Sequence, residues 1–133
     1  MTCGAFRKIA VAGNRLNSFD CEYTVNLIFS GGWEVRIETL FHLRTPNGII
    51  TVNPSVDAEG HVVFLTALIG QAVDVAEVGR SGALALTFEG GSVLTAGPDD
   101  DYESWTVAGP AGVKLVCQPG GEVAVWSAVP ESD

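Results

Sequence analysis

The sequence predicts a mainly β protein of the α+β type, with antiparallel sheets that form a sandwich or one curled sheet. Short runs rich in Val, Ile, Thr and aromatic residues alternate with polar side chains, and Gly, Pro, Asn and Asp separate the runs. The chain has 133 residues, including 16 glycines and 6 prolines. This length fits a single domain, residues 1–133, whose core needs no disulfide support.

The region from residue 20 to residue 44 predicts one long antiparallel hairpin. Apolar residues occupy most odd-numbered positions from 21 to 29 and from 33 to 43, and polar residues occupy most of the even-numbered positions. This period of two is that of a half-buried strand. Gly31 and Gly32 separate the two runs and can supply the positive φ angles that a tight turn requires. Pro46-Asn47-Gly48 indicates another turn, which leads to a third short strand at residues 49–53.

One short helix is predicted near residues 57–69. Apolar side chains recur there at near-helical spacing, namely Val62, Leu65, Leu68 and Ile69. Gly70 can end such a helix, although residues 61–65 also fit a strand. Residues 71–78 alternate again, with Val73 and Val75 on one face and Ala76 and Val78 on the other.

Two stretches of the chain repeat the same pattern. Residues 27–35 and residues 86–94 both read Leu-x-Phe-x-Gly-Gly, so that Gly90 and Gly91 correspond to the first Gly-Gly turn. The Pro-x-Gly turn and the strand after it also recur, at residues 46–54 and again from residue 110. The order predicts a duplicated three-stranded unit, although Gly-Gly hairpins also arise independently in β proteins.

The two ends of the chain and its cysteines indicate the cellular compartment that we expect for the protein. Residues 1–12 read as an N-terminal arm or edge strand, and residues 127–133 as a frayed tail. The apolar stretch after Arg7 and Lys8 is too short for a signal peptide. The three cysteines, at positions 3, 21 and 117, form an odd set without metal-like spacing. We therefore expect reduced thiols and a cytoplasmic protein.

The formal net charge is −9 and is concentrated in the second part of the chain. Residues 1–44 hold five basic and four acidic side chains, whereas residues 45–133 hold two basic and twelve acidic ones. An acidic surface repels nucleic acid and anionic membranes, so we expect neither as a partner. It attracts a basic protein partner. Pairing of edge strands would also allow a homodimer.

The run Pro98-Asp-Asp-Asp-Tyr-Glu-Ser-Trp105 is the most unusual in the chain. Asp100 and Glu103 have the spacing of a helix capping box, which would place Tyr102 and Trp105 one helical turn apart. In the extended alternative, Trp105 points to the core, while Tyr102 and Ser104 face outward. A calcium loop would take Asp99, Asp101 and Glu103 as ligands, but Gly at its sixth position and Glu at its twelfth are missing.

Catalytic and metal-binding patterns are absent from the sequence. No nucleophile elbow, phosphate-binding loop or dinucleotide fingerprint occurs. His42 and His61 lie in different elements and the cysteines are scattered, which disfavours zinc. We therefore expect a protein without cofactor or metal that is not an enzyme.

The last third of the chain resembles a family of small, uncharacterised actinobacterial proteins. The matching residues are Tyr102, Glu103, Trp105, Gly109, Gly112, Pro119, Gly120, Gly121 and Trp126. The resemblance extends over residues 20–126 and implies a shared fold without an established activity. Some small acidic proteins with a similar Trp-bearing end are immunity proteins that neutralise toxins, which is a more distant analogy.

These observations favour a protein-binding module over a small-ligand-binding β domain with a cavity between its sheets. The predicted partner-binding residues are Asp99, Asp100, Asp101, Tyr102 and Glu103, because exposed acids beside an aromatic suit a basic partner. Trp105 and Trp126 are predicted to pack in the core. The glycines at positions 31, 32, 90, 91, 120 and 121 are predicted to form turns.

Overall fold

The computed structural model describes residues 7–54 and 61–126. These ranges contain twelve strands and one α-helix. The strands are β1 (Arg7–Lys8), β2 (Leu16–Glu22), β3 (Thr24–Phe29), β4 (Glu34–Ile37), β5 (Phe41–Thr45), β6 (Gly48–Val52), β7 (Val73–Val78), β8 (Leu84–Phe88), β9 (Val93–Ala96), β10 (Trp105–Ala108), β11 (Lys114–Cys117) and β12 (Val123–Trp126). The helix, α1, spans Val62–Thr66.

The strands form two six-stranded sheets in which every pairing is antiparallel. Sheet I has the order β1-β7-β8-β9-β5-β6, and sheet II has the order β12-β11-β10-β4-β3-β2. The prediction of a mainly β protein with antiparallel sheets is confirmed. The predicted helix is present in shorter form within residues 57–69, of which residues 57–60 lie outside the described residues.

One hydrophobic cluster lies between the two sheets. Sheet II contributes Leu27, Val35 and Val107, and sheet I contributes Leu43 and Leu86, all fully buried. Each such side chain stabilises the fold by roughly 1.5–3 kcal/mol relative to an exposed position. Leu65 of α1 belongs to the same cluster, which ties the helix to the sandwich.

The two halves of the chain are interleaved in the sheets. The strands β2 to β6 and the strands β7 to β11 follow the same path. Each half contributes three consecutive strands to one sheet and then passes to the other sheet for its last two strands. Exchanging the halves strand for strand converts the order β7-β8-β9-β5-β6 into β2-β3-β4-β10-β11. The fold therefore has a topological two-fold relation, and β1 and β12 are the strands outside it.

Details of register support this relation. The pairing of β2 with β3 shifts between Leu16 and Ser18, and the pairing of β7 with β8 shifts between Val73 and Val75. In each half the Phe of the Leu-x-Phe-x-Gly-Gly pattern pairs with the residue that directly precedes the bulge, Leu16 in the first half and Val73 in the second. The two Phe residues, Phe29 and Phe88, stack on each other with ring centroids 6.4 Å apart. The repeated sequence thus corresponds to a repeated structure whose unit has five strands rather than the predicted three.

The predicted hairpin over residues 20–44 is wrong in its extent. Tyr23 adopts a positive φ of 67° and separates β2 from β3. The second arm also divides, because β4 ends at Ile37 in sheet II and β5 begins at Phe41 in sheet I. Ile37 and Phe41 both face inward and are separated by an even number of residue positions. The alternation of apolar and polar residues therefore continues unchanged where the chain crosses from one sheet to the other.

The predicted faces of residues 71–78 are also wrong. Val73, Ala76 and Val78 are buried, whereas Val75 is exposed. The register shift between Val73 and Val75 is the reason, because an extra residue in a strand reverses the faces beyond it.

Part of the N-terminal prediction falls on described residues, whereas none of the C-terminal prediction does. Arg7–Lys8 pairs with β7 at the edge of sheet I. Residues 1–6 and the predicted tail at residues 127–133 lie outside the described residues.

Candidate functional site

The acidic run forms the loop that connects β9 of sheet I to β10 of sheet II. The predicted capping box at Asp100 and Glu103 is wrong, because no helix forms between Ala96 and Trp105. Asp99 organises the loop instead. Its Oδ1 accepts hydrogen bonds from the backbone N–H of Asp101 at 2.8 Å and of Tyr102 at 3.1 Å. This local turn competes with helix formation at the same backbone donors.

The predicted partner-binding residues differ in exposure. Asp100, Asp101, Tyr102 and Glu103 are exposed, and Tyr102 has 70% of its surface accessible. Asp99 is only partly exposed, and its carbonyl accepts the backbone N–H of Gly120 at 2.9 Å. Asp99 therefore holds the loop against sheet II, while the next four side chains extend into solvent.

Trp105 closes the corner where the two sheets meet below this loop. Its side chain is fully buried, and its indole N–H donates to the carbonyl of Gly82 at 2.9 Å. Gly82 ends the turn between β7 and β8, and Gly121 ends the turn between β11 and β12. A Cβ on Gly121 would collide with the carbonyl oxygen of Ser81, so the two turns contact each other backbone to backbone. We name this region the closed corner.

Cys117 is a second buried side chain of the closed corner. Its thiol lies 3.5 Å from the Gly82 carbonyl oxygen and donates to it. Burial raises the pKa of the thiol, and the neighbouring Ser104 hydroxyl lowers it to a lesser extent. The thiolate is thus disfavoured, and with it nucleophilic chemistry. Ser104 is fully buried as well, contrary to the outward position that the extended alternative gave it.

The outer face of sheet II carries a trough of about 350 Å³. Small side chains of β10, Thr106 and Ala108, form its floor together with the buried Val116 of β11. Val116 is absent from the core cluster, so its burial comes from neighbours on the outer face. The walls are formed by Glu34, Arg36, Glu38, Glu103, Lys114 and Trp126.

The register of sheet II explains how these walls arise. Glu34, Ala108, Lys114 and Trp126 follow one another in a row across β4, β10, β11 and β12. Because strands lie about 4.8 Å apart, Glu34 and Lys114 stand roughly 10 Å apart across the floor. That width accommodates an extended chain or one long side chain. Glu38 and Glu103 lie toward the end of the trough nearer the acidic loop.

Trp126 is the aromatic side chain of the trough. The prediction that it packs in the core is wrong, because it is 50% exposed. It lies on β12, which is the edge strand of sheet II among the strands that the structure describes. The ammonium of Lys114 sits 5.7 Å from the centroid of its ring, a distance typical of a cation–π contact. The ring face of Trp126 thus already holds one cation.

Sequence reasoning identified Glu103 but missed the other charged walls. The outward alternation of Glu34, Arg36 and Glu38 was visible in the sequence. Their position beside β10 was not, because that strand is about 70 residues away along the chain. A trough formed across strands from both halves has no local sequence signal.

A separate polar cluster connects the residue before β2 to the residues that flank β7 and β8. Arg15 donates to the Glu89 carboxylate at 3.0 Å and to the Gly70 carbonyl at 2.7 Å. The backbone N–H of Ala72 also donates to Glu89, and this bond together with Arg15 lowers the pKa of the carboxyl group. Both side chains are satisfied within the fold, which gives the pair a structural role.

The remaining chemistry of the described part is limited. Among residues 7–54 and 61–126, no three His, Cys, Asp or Glu side chains converge in a way that would hold a metal ion. His42 is exposed on β5, and its Nδ1 lies 3.0 Å from the Thr51 hydroxyl. Within the same residues, no helix is long and apolar enough to cross a membrane.

The fold and this trough define a two-sheet antiparallel β protein with a charged trough on the outer face of one sheet. Residues 8–127 match the model of a family described as a family of unknown function (DUF6188), and the chain belongs to that family. No curated protein and no solved structure matches the chain.

Proposed function

We propose that this chain is a non-enzymatic protein-binding module that holds a basic segment of its partner in the trough on sheet II. One observation carries the proposal: three carboxylates, those of Glu34, Glu38 and Glu103, share a trough with the half-exposed ring of Trp126. Acidic groups beside an accessible aromatic ring are what an arginine or lysine side chain requires.

The mode of binding follows from the two ends of the trough. A guanidinium group of the partner would stack on Trp126 in place of Lys114, which is released to solvent. A second basic side chain would pair with Glu38 and Glu103. Because exposed ion pairs contribute only about 0.2–1 kcal/mol each, the aromatic contact supplies the anchor and the carboxylates supply selectivity.

The acidic loop contributes to the approach of the partner. Asp100, Asp101 and Tyr102 are exposed and lead directly into Glu103 on the wall of the trough. With a net charge of −9, the protein attracts a basic partner over a distance comparable to the Debye length. Association should therefore slow as salt concentration rises, and dissociation should change less. A toxin neutralised by an immunity protein is one partner class with the required charge, and a toxin gene beside the gene for this chain would support it.

The first test uses an eight-residue peptide of alternating arginine and serine, with a glutamate–serine peptide as its counterpart. Trp33 and Trp105 are buried, so fluorescence quenching by acrylamide reports mainly on Trp126. Of the two peptides, we expect only the arginine peptide to reduce the quenching of Trp126 by acrylamide. The Glu34→Gln/Glu38→Gln variant should bind it about tenfold more weakly at low salt, because it removes two of the three carboxylates of the trough and each contributes up to about 1 kcal/mol.

The matched control is Asp74→Asn/Glu77→Gln on sheet I, which removes the same charge at a distance from the trough. It should weaken binding no more than about twofold, through the long-range field alone. The same three proteins are then used to capture partners from a lysate of the source organism. Equal losses in both variants, or no difference between them in either experiment, would rule out the trough as the binding site.

A further inference from the structure

A second hollow lies at the open side of the sandwich, between the edge strands β1 and β12. We name it the cleft. It has a volume of about 300 Å³, and its wall includes Ile9, Trp33 and Leu115 of the core cluster. Val125 and Trp126 form the outer wall and are 41% and 50% exposed. The cleft thus leads from solvent to side chains that are otherwise buried.

The size of the cleft limits its occupant. A dry apolar cavity of about 150 Å³ holds one benzene molecule, so this volume suits an apolar group about twice that size. Small-molecule sites begin at about 300 Å³, which puts the cleft at the lower end of their range. A medium-length acyl chain or a bicyclic aromatic group has the appropriate dimensions.

The charge of the cleft is opposite to that of the protein. Arg7 and Lys8 are the charged residues in its lining, which includes no Asp or Glu among residues 7–54 and 61–126. Two of the seven Lys and Arg residues of a chain with net charge −9 therefore lie at this opening. Among residues 7–54 and 61–126 the one ion pair is that of Arg15 and Glu89, so neither Arg7 nor Lys8 pairs with a carboxylate there.

We infer that the cleft binds a small amphipathic monoanion, with its carboxylate at Arg7 and Lys8 and its apolar body against Trp33, Leu115 and Val125. Apolar walls alone would accept any hydrophobic molecule. The cationic opening selects the anion, because a charge-assisted hydrogen bond from a guanidinium to a carboxylate is stronger than a neutral one. This site shares Trp126 with the trough, but it binds the charged head of its ligand through Arg7 and Lys8 rather than through the carboxylates of the trough.

The test compares three molecules that have the same chain and different heads: octanoate, 1-octanol and octylammonium. Binding to the full chain is followed by isothermal titration calorimetry and by quenching of tryptophan fluorescence. We expect saturable binding of octanoate in the millimolar range or tighter, as for a small ligand with few heavy atoms. Octanol and octylammonium should bind at least about fivefold more weakly, because they cannot pair with Arg7.

Variants at exposed residues locate the site without disturbing the core. Arg7→Gln should weaken octanoate binding about fivefold, whereas Arg44→Gln, the same change on exposed β5, should leave it unchanged. Glu34→Gln/Glu38→Gln should also leave it unchanged, which separates this test from that of the trough. Equal binding of the three head groups, equal effects of the two arginine variants, or absence of saturable octanoate binding would each overturn the inference.

Discussion

The two crossovers between the sheets are equivalent in the fold and different in length. The first, from β4 to β5, consists of residues 38–40, and the second, from β9 to β10, consists of residues 97–104. Both deliver a large aromatic residue to the same position of the next strand, Phe41 in sheet I and Trp105 in sheet II. Both aromatic residues are fully buried.

The difference between the crossovers separates the residues that the topology requires from those that form the acidic loop. Three residues suffice to pass from one sheet to the other, so the five additional residues of the second crossover are not needed for the topology. The second crossover contains Asp99, Asp100 and Asp101, which account for part of the excess of acidic residues in the second half. A repeated scaffold with one elongated loop is a common way to place a binding surface on a stable core.

The largest effect that we predict concerns the equivalent aromatic residues. Trp105→Ala and Phe41→Ala should each lower the free energy of unfolding by about 3–5 kcal/mol, because both leave a large cavity. Trp105→Phe makes the two halves alike at this position and should cost less, with about 1 kcal/mol due to the lost hydrogen bond to Gly82. Urea unfolding followed by circular dichroism measures all three. A cost below 1 kcal/mol for either alanine variant would contradict the equivalence.

An intermediate effect is expected in the turn that meets the closed corner. Gly120 and Gly121 have positive φ angles of 88° and 103°, so alanine at either position costs about 1–2 kcal/mol. At Gly121 the new methyl group also collides with Ser81, which should add about 1–3 kcal/mol, whereas the space at Gly120 is open. The comparison of thermal unfolding for the two variants isolates the contact between the sheets. Identical midpoints would mean that the turns do not touch in solution.

The smallest effect concerns the elongated crossover itself. Asp99→Ala removes the acceptor of two backbone N–H groups and should cost about 0.5–2 kcal/mol, as for the loss of a helix cap. Asp100→Ala removes an exposed acid and should change stability by less than about 0.5 kcal/mol. Hydrogen exchange at the amides of Asp101 and Tyr102 gives a local measurement, and it should accelerate in the Asp99 variant alone. Acceleration in both variants would argue against the observed turn.

The sequence alone determined the class of fold and the repeated pattern. These features depend on local periodicity and on turn residues, which act over a few neighbouring positions. The burial of Trp105 has a local cause as well. It begins a strand in which Trp105 and Val107 share the inward face and Thr106 lies on the other face. Exposure of Asp100, Asp101 and Glu103 follows from their charge.

Tertiary structure decided which strands are neighbours, and with them the candidate sites. The alternation of residues 33–43 is the same whether the chain stays in one sheet or crosses to the other. The exposure of Trp126 depends on its place at the end of a sheet, although its own strand looks like a core strand. The trough joins Glu34 to Lys114, and the cleft joins Arg7 to Val125. Such contacts arise from the pairing of distant strands, which local preferences do not encode.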